Sequence, residues 1–578
     1  MNAHPYLITQ FVNFNANLVV PFYQRSYVWD EEQWERLLSD MKFASGTKRP
    51  YFMGAIILKE KKNSYGQIVE HTIIDGQQRL TTLTIFFKVL CMATTQTMWF
   101  DNTFRKLTQS KDSVIKQSLS CKDDYERIIK LDNLEDLSGE KNPSNIIRAY
   151  NYFRKAIIDV VYTQNNKNEN GDTILDVNLL PSLLTFVAMT LDENEDEQQI
   201  FDTINSLGVR LSTGELLKNY LFSESQFDLY LKIWKPVFEE DQETIDYWAG
   251  NLTTGRLSKK NIEVFLYYYL QIKCQERNIK GDKRLFRRWE NLFSSFKVLI
   301  EENNISKESL ATEISEYAQI FRKTFNPDLA DDELDTEFGL GRINFIVSKL
   351  DKSVVIPYVM YIIKTVGEGT ECDAICGYLE KYLMRRIICD SPSANYSDLF
   401  TENMIGQEIN TFDKLKKYIE IKDESVSLAM PNDAKVVEGF KETLFKNNKT
   451  ALAILYLLES KLRNISKHST KLHTFDGYSL EHIMPKKWKK NWTELTDGFA
   501  PEERDRKINT LGNMAMITKG LNSSISNSAW ENKRSNLNDF ASDIDTIGGV
   551  LDLDTWNELT IIDRATNLAQ SANDVWKI

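Results

Sequence analysis

The residues most clearly suited to catalysis lie in the C-terminal part of the chain, where a histidine next to a carboxylate is followed by two asparagines. Glu481 and His482 are adjacent, and Asn513 and Asn522 follow them. A neutral histidine can take a proton from water, and a divalent cation can stabilise the charge that develops on a phosphate and its leaving oxygen. Carboxylate and amide oxygens favour Mg²⁺ or Mn²⁺ over zinc as that cation. These residue types together predict metal-assisted hydrolysis of a phosphodiester.

Local sequence patterns predict the elements that would carry these residues. Apolar positions within residues 478–483 predict a short strand that brings His482 to its end. The segment Leu511–Ile517 predicts a second strand. Trp530, Lys533 and Leu537 then mark a helix that begins after a serine able to cap it. The predicted order is therefore strand, strand, helix.

This pattern resembles that of the HNH nucleases, also called ββα-metal nucleases. The resemblance rests on Glu481-His482-Ile483-Met484-Pro485 and on the stretch from Leu511-Gly512-Asn513 to Asn522. It implies that His482 is the general base and that Asn522 is a metal ligand. Glu481 stands where many of these enzymes have aspartate, and it is assigned to the metal site. The resemblance also gives catalytic supporting roles to Asn513, which would fix the loop or orient the histidine, and to Lys533, which would contact phosphate.

A basic segment follows the first predicted strand. Its lysines alternate with two tryptophans, in the set Lys486, Lys487, Lys489, Lys490, Trp488 and Trp492. Lysines neutralise backbone phosphates and aromatic rings can stack on bases, so the segment predicts a DNA-binding strip beside the histidine. A solvated surface turn is the alternative interpretation.

Two N-terminal segments also combine polar side chains with distinctive local patterns. In Val20–Trp29 a Gln-Arg pair lies among aromatic residues, which predicts a pocket lined by Tyr23, Gln24, Arg25, Tyr27 and Trp29. Ile74–Thr82 predicts a strand-to-helix turn, where free N–H groups and the helix dipole suit a phosphate. The candidate nucleotide-binding residues of this turn are Asp75, Gly76, Gln77, Gln78 and Arg79. Polar turns that satisfy buried backbone groups are the alternative.

Together with Phe201–Gly208 and Leu216–Asn219, these two segments resemble the N-terminal domain of the GmrSD, SspE and BrxU restriction proteins. That domain is related to the ParB and sulfiredoxin fold, and in the family it is paired with an HNH domain. The resemblance implies type IV restriction, in which foreign DNA is recognised by its modification, nucleoside triphosphate hydrolysis is coupled to sensing, and the HNH domain cuts. It adds Asn205 to the sensing pocket. The chain has no GxxxxGK[ST] sequence, which excludes a P-loop.

The composition predicts a globular protein. Hydrophobic residues make up 42% of the chain and charged residues 27%, both near the averages for globular proteins. No apolar run approaches the roughly 18 residues that predict a membrane-spanning helix, and the N-terminus has no signal pattern. The six cysteines are scattered without a CxxC pair, which argues against a zinc knuckle or a disulfide framework. We therefore expect a cytoplasmic protein that does not bind membranes.

The length of 578 residues indicates more than one domain. We expect an α+β, predominantly helical protein in three parts. Residues 1–225 would form a ParB/sulfiredoxin-like sensor and NTPase domain, residues 226–465 a helical connector, and residues 466–578 the HNH nuclease domain. The expected partners are double-stranded DNA that carries a modification, a nucleoside triphosphate, and a second copy of the chain in a homodimer.

Two other functions are compatible with the same residues. One is a regulatory DNA-binding protein whose HNH unit is inactive, although the presence of His482, Asn513 and Asn522 argues against it. The other is an RNA nuclease, because no residue pattern identifies a group that reads the 2′-hydroxyl. The net charge of −12 decides between none of these, since nucleic-acid binding needs only a local basic surface.

Overall fold

The computed structural model describes the chain except for residues 1, 13–16, 23, 25, 63, 64, 66, 106–111, 169, 170, 172, 192–211, 223–225, 255, 256, 277, 278, 331, 332, 335, 422–427, 467–471, 522–527 and 542. The chain is a mixture of helices and strands and is 60% helical, in agreement with the predicted helix-rich class. No described helix is both long and apolar enough to cross a membrane.

The contacts between residues divide the chain into two compact units. The first contains Met1–Gly250 and Ile305–Thr312, and the second contains Asn251–Asn304 and Glu313–Ile578. Most of the predicted connector and all of the predicted nuclease region therefore belong to the second unit. The helix Asn448–Ser466 also runs across the predicted boundary between residues 465 and 466. The finer three-part division stays a prediction.

A six-stranded mixed sheet organises the described part of the first unit. Its strands are β1 (Asn2–Leu7), β2 (Asn17–Val19), β3 (Tyr51–Lys62), β4 (Ile68–Asp75), β5 (Ile115–Lys116) and β6 (Leu184–Leu191). The strand order is β1-β6-β3-β4-β2-β5. Strand β3 pairs antiparallel with β4 and parallel with β6. The sequence patterns of Tyr51–Leu58 and His71–Ile74 predict strands, and these segments lie within β3 and β4.

The helices of the first unit contribute buried apolar side chains to its interior. They are Ile8–Val12, Glu31–Thr47, Gln77–Ala93, Thr97–Phe104, Leu119–Lys130, Asn145–Ile158, Leu180–Leu183, Thr213–Leu221, Phe227–Leu229, Lys235–Phe238 and Gln242–Ala249. Asp30 and Gln33 have the spacing of a capping box, which predicts the start of Glu31–Thr47, and the Asp30 side chain accepts from Glu32 N while Gln33 Oε1 accepts from Asp30 N. Trp34, Leu37, Leu38 and Met41 recur at helical spacing and are buried. Residues at this spacing share one side of a helix, which explains the packing.

The second unit is mainly helical. Its helices are Asn261–Lys273, Lys283–Phe286, Leu292–Asn303, the end of Lys307–Thr324, Leu340–Lys349, Ile356–Val366, Thr370–Ile388, Tyr396–Asp398, Phe412–Glu420, Asp433–Glu442, Asn448–Ser466, Pro501–Ile508, Trp530–Ala541 and Glu558–Val575. A small hairpin, β7 (Asn251–Thr254) and β8 (Leu257–Lys260), was not predicted.

The predicted strand, strand, helix order is present near the C-terminus. Strand β9 (Tyr478–His482) pairs antiparallel with β10 (Met514–Thr518), so that His482 lies opposite Met514. The helix Trp530–Ala541 follows. Strand β10 begins later than predicted because Leu511–Asn513 forms a 3₁₀ turn. Helix Asn448–Ser466 packs against both strands.

Candidate active site

His482 ends strand β9 with one ring nitrogen that is not used by the protein. The residue is half-buried, and its Nε2 atom is shielded from solvent with no hydrogen-bond partner among the residues that the structure describes. Buried polar groups are normally paired, because an unpaired one costs free energy. Nε2 is therefore not bound to any described residue, and a water molecule could reach it only after neighbouring side chains move.

The surroundings of His482 favour its neutral form. Burial, with further contributions from Lys486 and Lys533, lowers the pKa of His482 to about 4. Burial acts because it removes the water that would stabilise the imidazolium, and the two lysines repel a second positive charge. At neutral pH the ring is therefore uncharged, which is the form that a general base requires.

Asn513 fixes the turn that follows His482. Its side chain is fully buried and makes four hydrogen bonds. The amide oxygen accepts from Met484 N at 2.8 Å and Trp556 Nε1 at 3.0 Å, and the amide nitrogen donates to Met484 O at 2.8 Å and Ile508 O at 3.0 Å. The expected loop-fixing function matches this geometry. Because its hydrogen-bonding groups are all used, Asn513 positions the site and does not touch substrate.

A second layer holds Asn513 in place, and the sequence patterns did not identify it. The Arg564 guanidinium, buried in the helix Glu558–Val575, donates to the carbonyl oxygens of Gly512 at 2.7 Å and Met514 at 2.8 Å. Gly512 permits this close packing, since an added Cβ would lie 2.3 Å from Ile561 O. Trp556 and Arg564 come far downstream of the motif residues, so no local signal marks them.

Glu481 and Lys533 form a buried ion pair beside the histidine. The Lys533 ammonium is fully buried, pairs with Glu481 Oε1, and also donates to His482 O at 2.9 Å. Burial raises the pKa of Glu481 and lowers that of Lys533, and the pairing opposes both effects. The expectation that Lys533 contacts phosphate was wrong, because its charge is enclosed and already paired. Lys533 instead anchors the helix Trp530–Ala541 to the end of β9.

The predicted cation has an incomplete ligand set in the described residues. Glu481 is the one predicted ligand that is described, and its carboxylate is held by Lys533. No group of three or more His, Cys, Asp or Glu side chains suited to a metal occurs among the described residues. Asn522, the other predicted ligand, lies outside them. These donors alone do not fit a Mg²⁺ or Mn²⁺ site, so the metal assignment stays a prediction.

The basic segment divides into exposed lysines and buried tryptophans. Lys486, Lys487, Lys489 and Lys490 are exposed and form no ion pair within the described part of the chain. Trp488 and Trp492 are buried, and their ring nitrogens donate to Asp505 Oδ1 at 2.7 Å and Ser528 O at 3.1 Å. The two tryptophans of the predicted basic strip are therefore enclosed in the protein, and backbone binding by its lysines stays a prediction. The two rings anchor the segment, and its four lysines are exposed to solvent in the segment that follows His482.

The predicted strand-to-helix turn of the first unit is confirmed. Strand β4 ends at Asp75, and the helix Gln77–Ala93 begins after Gly76, which has φ +103° and no capping side chain. A side chain at residue 76 would be strained at this φ, and its Cβ would meet Ile56. Arg79 Nη2 pairs with Asp75 Oδ2 at 3.2 Å, and both side chains are partly exposed. The turn thus presents a helix N-terminus and one arginine.

The glutamines of this turn support the neighbouring segment. Gln78 is buried, accepts from Val28 N at 2.9 Å and donates to Ser26 O at 3.1 Å. Gln77 is buried as well. Gln78 thus joins the start of the helix Gln77–Ala93 to the backbone of the preceding segment, and nucleotide binding at this turn stays a prediction.

The predicted sensing pocket is altered by the structure. Gln24 is buried and donates to Ile73 O and Ile74 O at 2.5 and 3.0 Å. The buried Tyr27 hydroxyl shares a hydrogen bond with Thr82 Oγ1 at 2.6 Å, and Trp29 packs partly buried against the core. The expectation that Gln24 and Tyr27 face a pocket was wrong, because both hold the core together. The other predicted pocket residues, Tyr23, Arg25 and Asn205, lie outside the described residues.

A buried lysine, Lys218, also binds the segment that contains Gln24. Lys218 Nζ donates to Gln24 O at 3.2 Å and to Glu239 Oε1 at 2.5 Å, and Glu239 also accepts from the Tyr230 hydroxyl at 2.6 Å. Lys218 belongs to the Leu216–Asn219 motif, but nothing local marks Glu239 as its partner. The network positions the backbone at Gln24, beside the end of β4.

Two family models match the chain. The model described as GmrSD restriction endonuclease, N-terminal domain, matches residues 8–222, and the model described as GmrSD restriction endonucleases, C-terminal domain, matches residues 430–571. Together they cover more than half of the sequence. The chain belongs to the GmrSD restriction endonuclease family. A comparison with curated proteins found no match.

Membership in the GmrSD family confirms the predicted family and the coarse function. The chain is a type IV restriction nuclease, and DNA is its partner. The C-terminal match contains the His482 site, and the N-terminal match contains the Asp75–Arg79 turn. The C-terminal match begins at residue 430, so it includes the helix Asn448–Ser466 that packs on strands β9 and β10.

Proposed function

We propose that this GmrSD protein cuts modified foreign DNA by an HNH mechanism that uses His482 as general base, depends on Mg²⁺ or Mn²⁺, and is regulated by nucleoside triphosphate hydrolysis in the N-terminal domain. The observation that carries the proposal is the Nε2 atom of His482, which has no hydrogen-bond partner in the described part of the chain. Asn513, Lys533 and Glu481 around it are engaged in internal contacts. One nitrogen is thus not bound to any described residue at a turn whose other polar groups are fixed.

The reaction follows from this arrangement. Nε2 accepts a proton from a water molecule, and the resulting hydroxide attacks the phosphorus while the bond to the leaving oxygen breaks. The exposed lysines from Lys486 to Lys490 attract the DNA backbone and hold it near the histidine. A divalent cation would neutralise charge on the phosphate, and its ligands would have to include Asn522 and a rearranged Glu481.

The proposed nucleotide site is the turn Asp75–Arg79. Gly76 leaves the first N–H groups of the helix Gln77–Ala93 without a side-chain cap, and helix N-termini of this kind attract phosphate. Arg79 is partly exposed and can exchange its carboxylate partner for a phosphate oxygen. The residues that would sense the modification remain Trp29 among the described positions and Tyr23, Arg25 and Asn205 outside them.

A cleavage assay on the full chain tests the proposal. Phage DNA carrying phosphorothioate or glucosylated hydroxymethylcytosine, unmodified DNA and matched RNA are each incubated with and without Mg²⁺ or Mn²⁺ and each nucleoside triphosphate. We expect cleavage of one modified DNA, dependent on the cation and altered by nucleotide. Equal cleavage of modified and unmodified DNA would contradict the proposed sensing function. Cleavage confined to RNA would show that the substrate is RNA and not DNA.

A further inference from the structure

A basic cavity of about 500 Å³ lies beside strand β9. Three lysines from separate elements line it. Lys349 ends the helix Leu340–Lys349, Lys449 lies in the first turn of the helix Asn448–Ser466, and Lys519 directly follows strand β10. Asp476 is its one acidic lining residue. The cavity, here called the lysine cavity, therefore concentrates positive charge in a protein whose net charge is −12.

Two further features favour an anion in the lysine cavity. The first turn of the 19-residue helix Asn448–Ser466 contributes to its wall, and the N-terminal end of a helix carries partial positive charge. Ser479 also lines the cavity, and its buried hydroxyl has no hydrogen-bond partner in the part of the chain that is described. A phosphate oxygen would accept from this hydroxyl and interact with the lysines.

The lysine cavity lies close to the proposed catalytic base. Ser479 and His482 are both on strand β9, three positions apart, which corresponds to a separation of about 10 Å along an extended strand. One DNA strand carries a phosphate about every 3.4 Å of helix axis. Side chains three positions apart point to opposite faces of a strand, so a duplex with its scissile phosphate at His482 would reach the cavity with another backbone phosphate only around the edge of strands β9 and β10.

The aromatic lining residues argue against a base as the occupant. Phe475 and Tyr478 are buried, and both rings pack against Tyr456. The Lys349 ammonium lies over the Phe475 ring at 5.6 Å. Neither ring offers an open face on which a nucleobase could stack, whereas the lysines and Ser479 present groups that suit phosphate.

From these observations we propose that the lysine cavity holds a backbone phosphate of the DNA that His482 cuts. This inference rests on the proposed nuclease function and adds a second DNA contact to it. Lys449 and Lys519 are exposed at the cavity, so they can meet a duplex directly. Lys349 and Ser479 would complete the contact from inside.

DNA binding in a cleavage-deficient background tests the proposal. The parent is the full chain with His482→Ala, and the test variant adds Lys349→Gln, Lys449→Gln and Lys519→Gln. The matched control instead adds Lys414→Gln, Lys416→Gln and Lys417→Gln on the helix Phe412–Glu420, outside the cavity lining. Binding of a fluorescent duplex is followed by anisotropy between 50 and 300 mM salt, a range of roughly sixfold that resolves the salt slope.

The cavity variant should bind DNA about tenfold more weakly than the parent at 0.1 M salt. The slope of log Kd against log salt should fall by about one to two, since each lost phosphate contact removes about 0.9. The control should stay within about twofold of the parent. Because Lys349 packs on Phe475, the double variant Lys449→Gln/Lys519→Gln provides the same test if the triple variant unfolds at a lower temperature.

The outcomes separate this inference from the proposed function. A parent that binds no DNA at any salt concentration would overturn both. DNA binding by the parent with an unchanged affinity and slope in the cavity variants would overturn the lysine cavity alone. The same variants are titrated with ATP and with inorganic phosphate. Loss of ATP binding with unchanged DNA binding would assign the cavity to a free nucleotide and overturn the proposal.

Discussion

The turn Asp75–Arg79 and the turn that follows Glu481 and His482 begin in the same way but use their polar groups differently. Each starts at the end of a strand. At the first turn, Arg79 pairs with Asp75, and Gln78 is bound to the backbone of the preceding segment. At the second turn, Glu481 and Asn513 are bound internally, but one nitrogen of His482 has no hydrogen-bond partner among the described residues.

This difference separates two kinds of candidate site. An unpaired buried polar atom costs about 1–3 kcal/mol, and at the second turn such an atom lies beside the bound side chains of Glu481 and Asn513. At the second turn the proposed function, proton acceptance, depends on one side-chain atom. At the first turn the proposed function, phosphate binding, depends on backbone N–H groups and on an arginine that must leave its present partner. Substitutions should have correspondingly different effects at the two turns.

The largest expected effect comes from His482→Ala. The loss of the general base should lower DNA cleavage by about 10²- to 10⁴-fold, whereas nucleoside triphosphate hydrolysis should persist. The control is His473→Ala, which removes an exposed histidine. Both activities are measured on the same protein preparations. Cleavage by His482→Ala at the wild-type rate would show that another group is the general base. The second turn would then no longer differ from the first by having a catalytic side chain.

Lys533→Met should have the next largest effect. It leaves the Glu481 carboxylate buried without its partner, and breaking such a pair typically costs about 3–5 kcal/mol. Chemical denaturation should show this loss, and the double variant Glu481→Gln/Lys533→Met should recover part of it. The control is Lys490→Met, which changes an exposed lysine in the same region. A single Lys533→Met variant as stable as the wild type would show that the ion pair does not hold the site together.

Local sequence patterns predicted the elements that carry both sites. Asp30 and Gln33 predicted a helix start because a capping box needs only neighbouring residues. The strand ending at His482 and the helix after Asp75 followed from apolar spacing in the same way. Strand β10 was misplaced at its start because a 3₁₀ turn, which apolar spacing does not reveal, precedes it.

The burial of individual side chains could not be predicted in this way. Trp488 and Lys533 look like surface groups in the sequence, but each is buried against a residue distant along the chain, Asp505 or Glu481. Trp556 likewise reaches Asn513 only after the chain has folded back. Such contacts depend on tertiary packing, which overrides local propensity. The motif thus located the histidine, and the structure identified the residues that keep it in position.

A smaller effect is expected at the first turn. Arg79→Ala should lower nucleoside triphosphate hydrolysis by about tenfold, because a hydrogen bond to a charged group contributes about 1.5–3 kcal/mol. Stability should change little, since the side chain is partly exposed. The control is Arg148→Ala, an exposed arginine on the helix Asn145–Ile158. Hydrolysis at the wild-type rate in Arg79→Ala would exclude this turn as the nucleotide site.

The smallest expected effect is a shift in the pH dependence of cleavage. Burial and the charges of Lys486 and Lys533 hold the pKa of His482 near 4, so the neutral base persists well below the usual range for histidine. The value of kcat/KM for cleavage, which reports the DNA-free enzyme, should therefore stay constant as the pH falls through 6.5 and decline only as it approaches the lowered pKa.

Lys486→Met tests the electrostatic part of this effect. Removing the positive charge stabilises the imidazolium and raises the pKa of His482, so the acid limb of the kcat/KM profile should move to higher pH by about half a unit. Lys490→Met is the matched control, because its charge makes no resolved contribution at His482. Added salt should reduce the difference between the two variants by screening. Identical acid limbs in Lys486→Met and Lys490→Met would mean that burial alone keeps the base neutral, and the exposed lysines would then act only on the DNA.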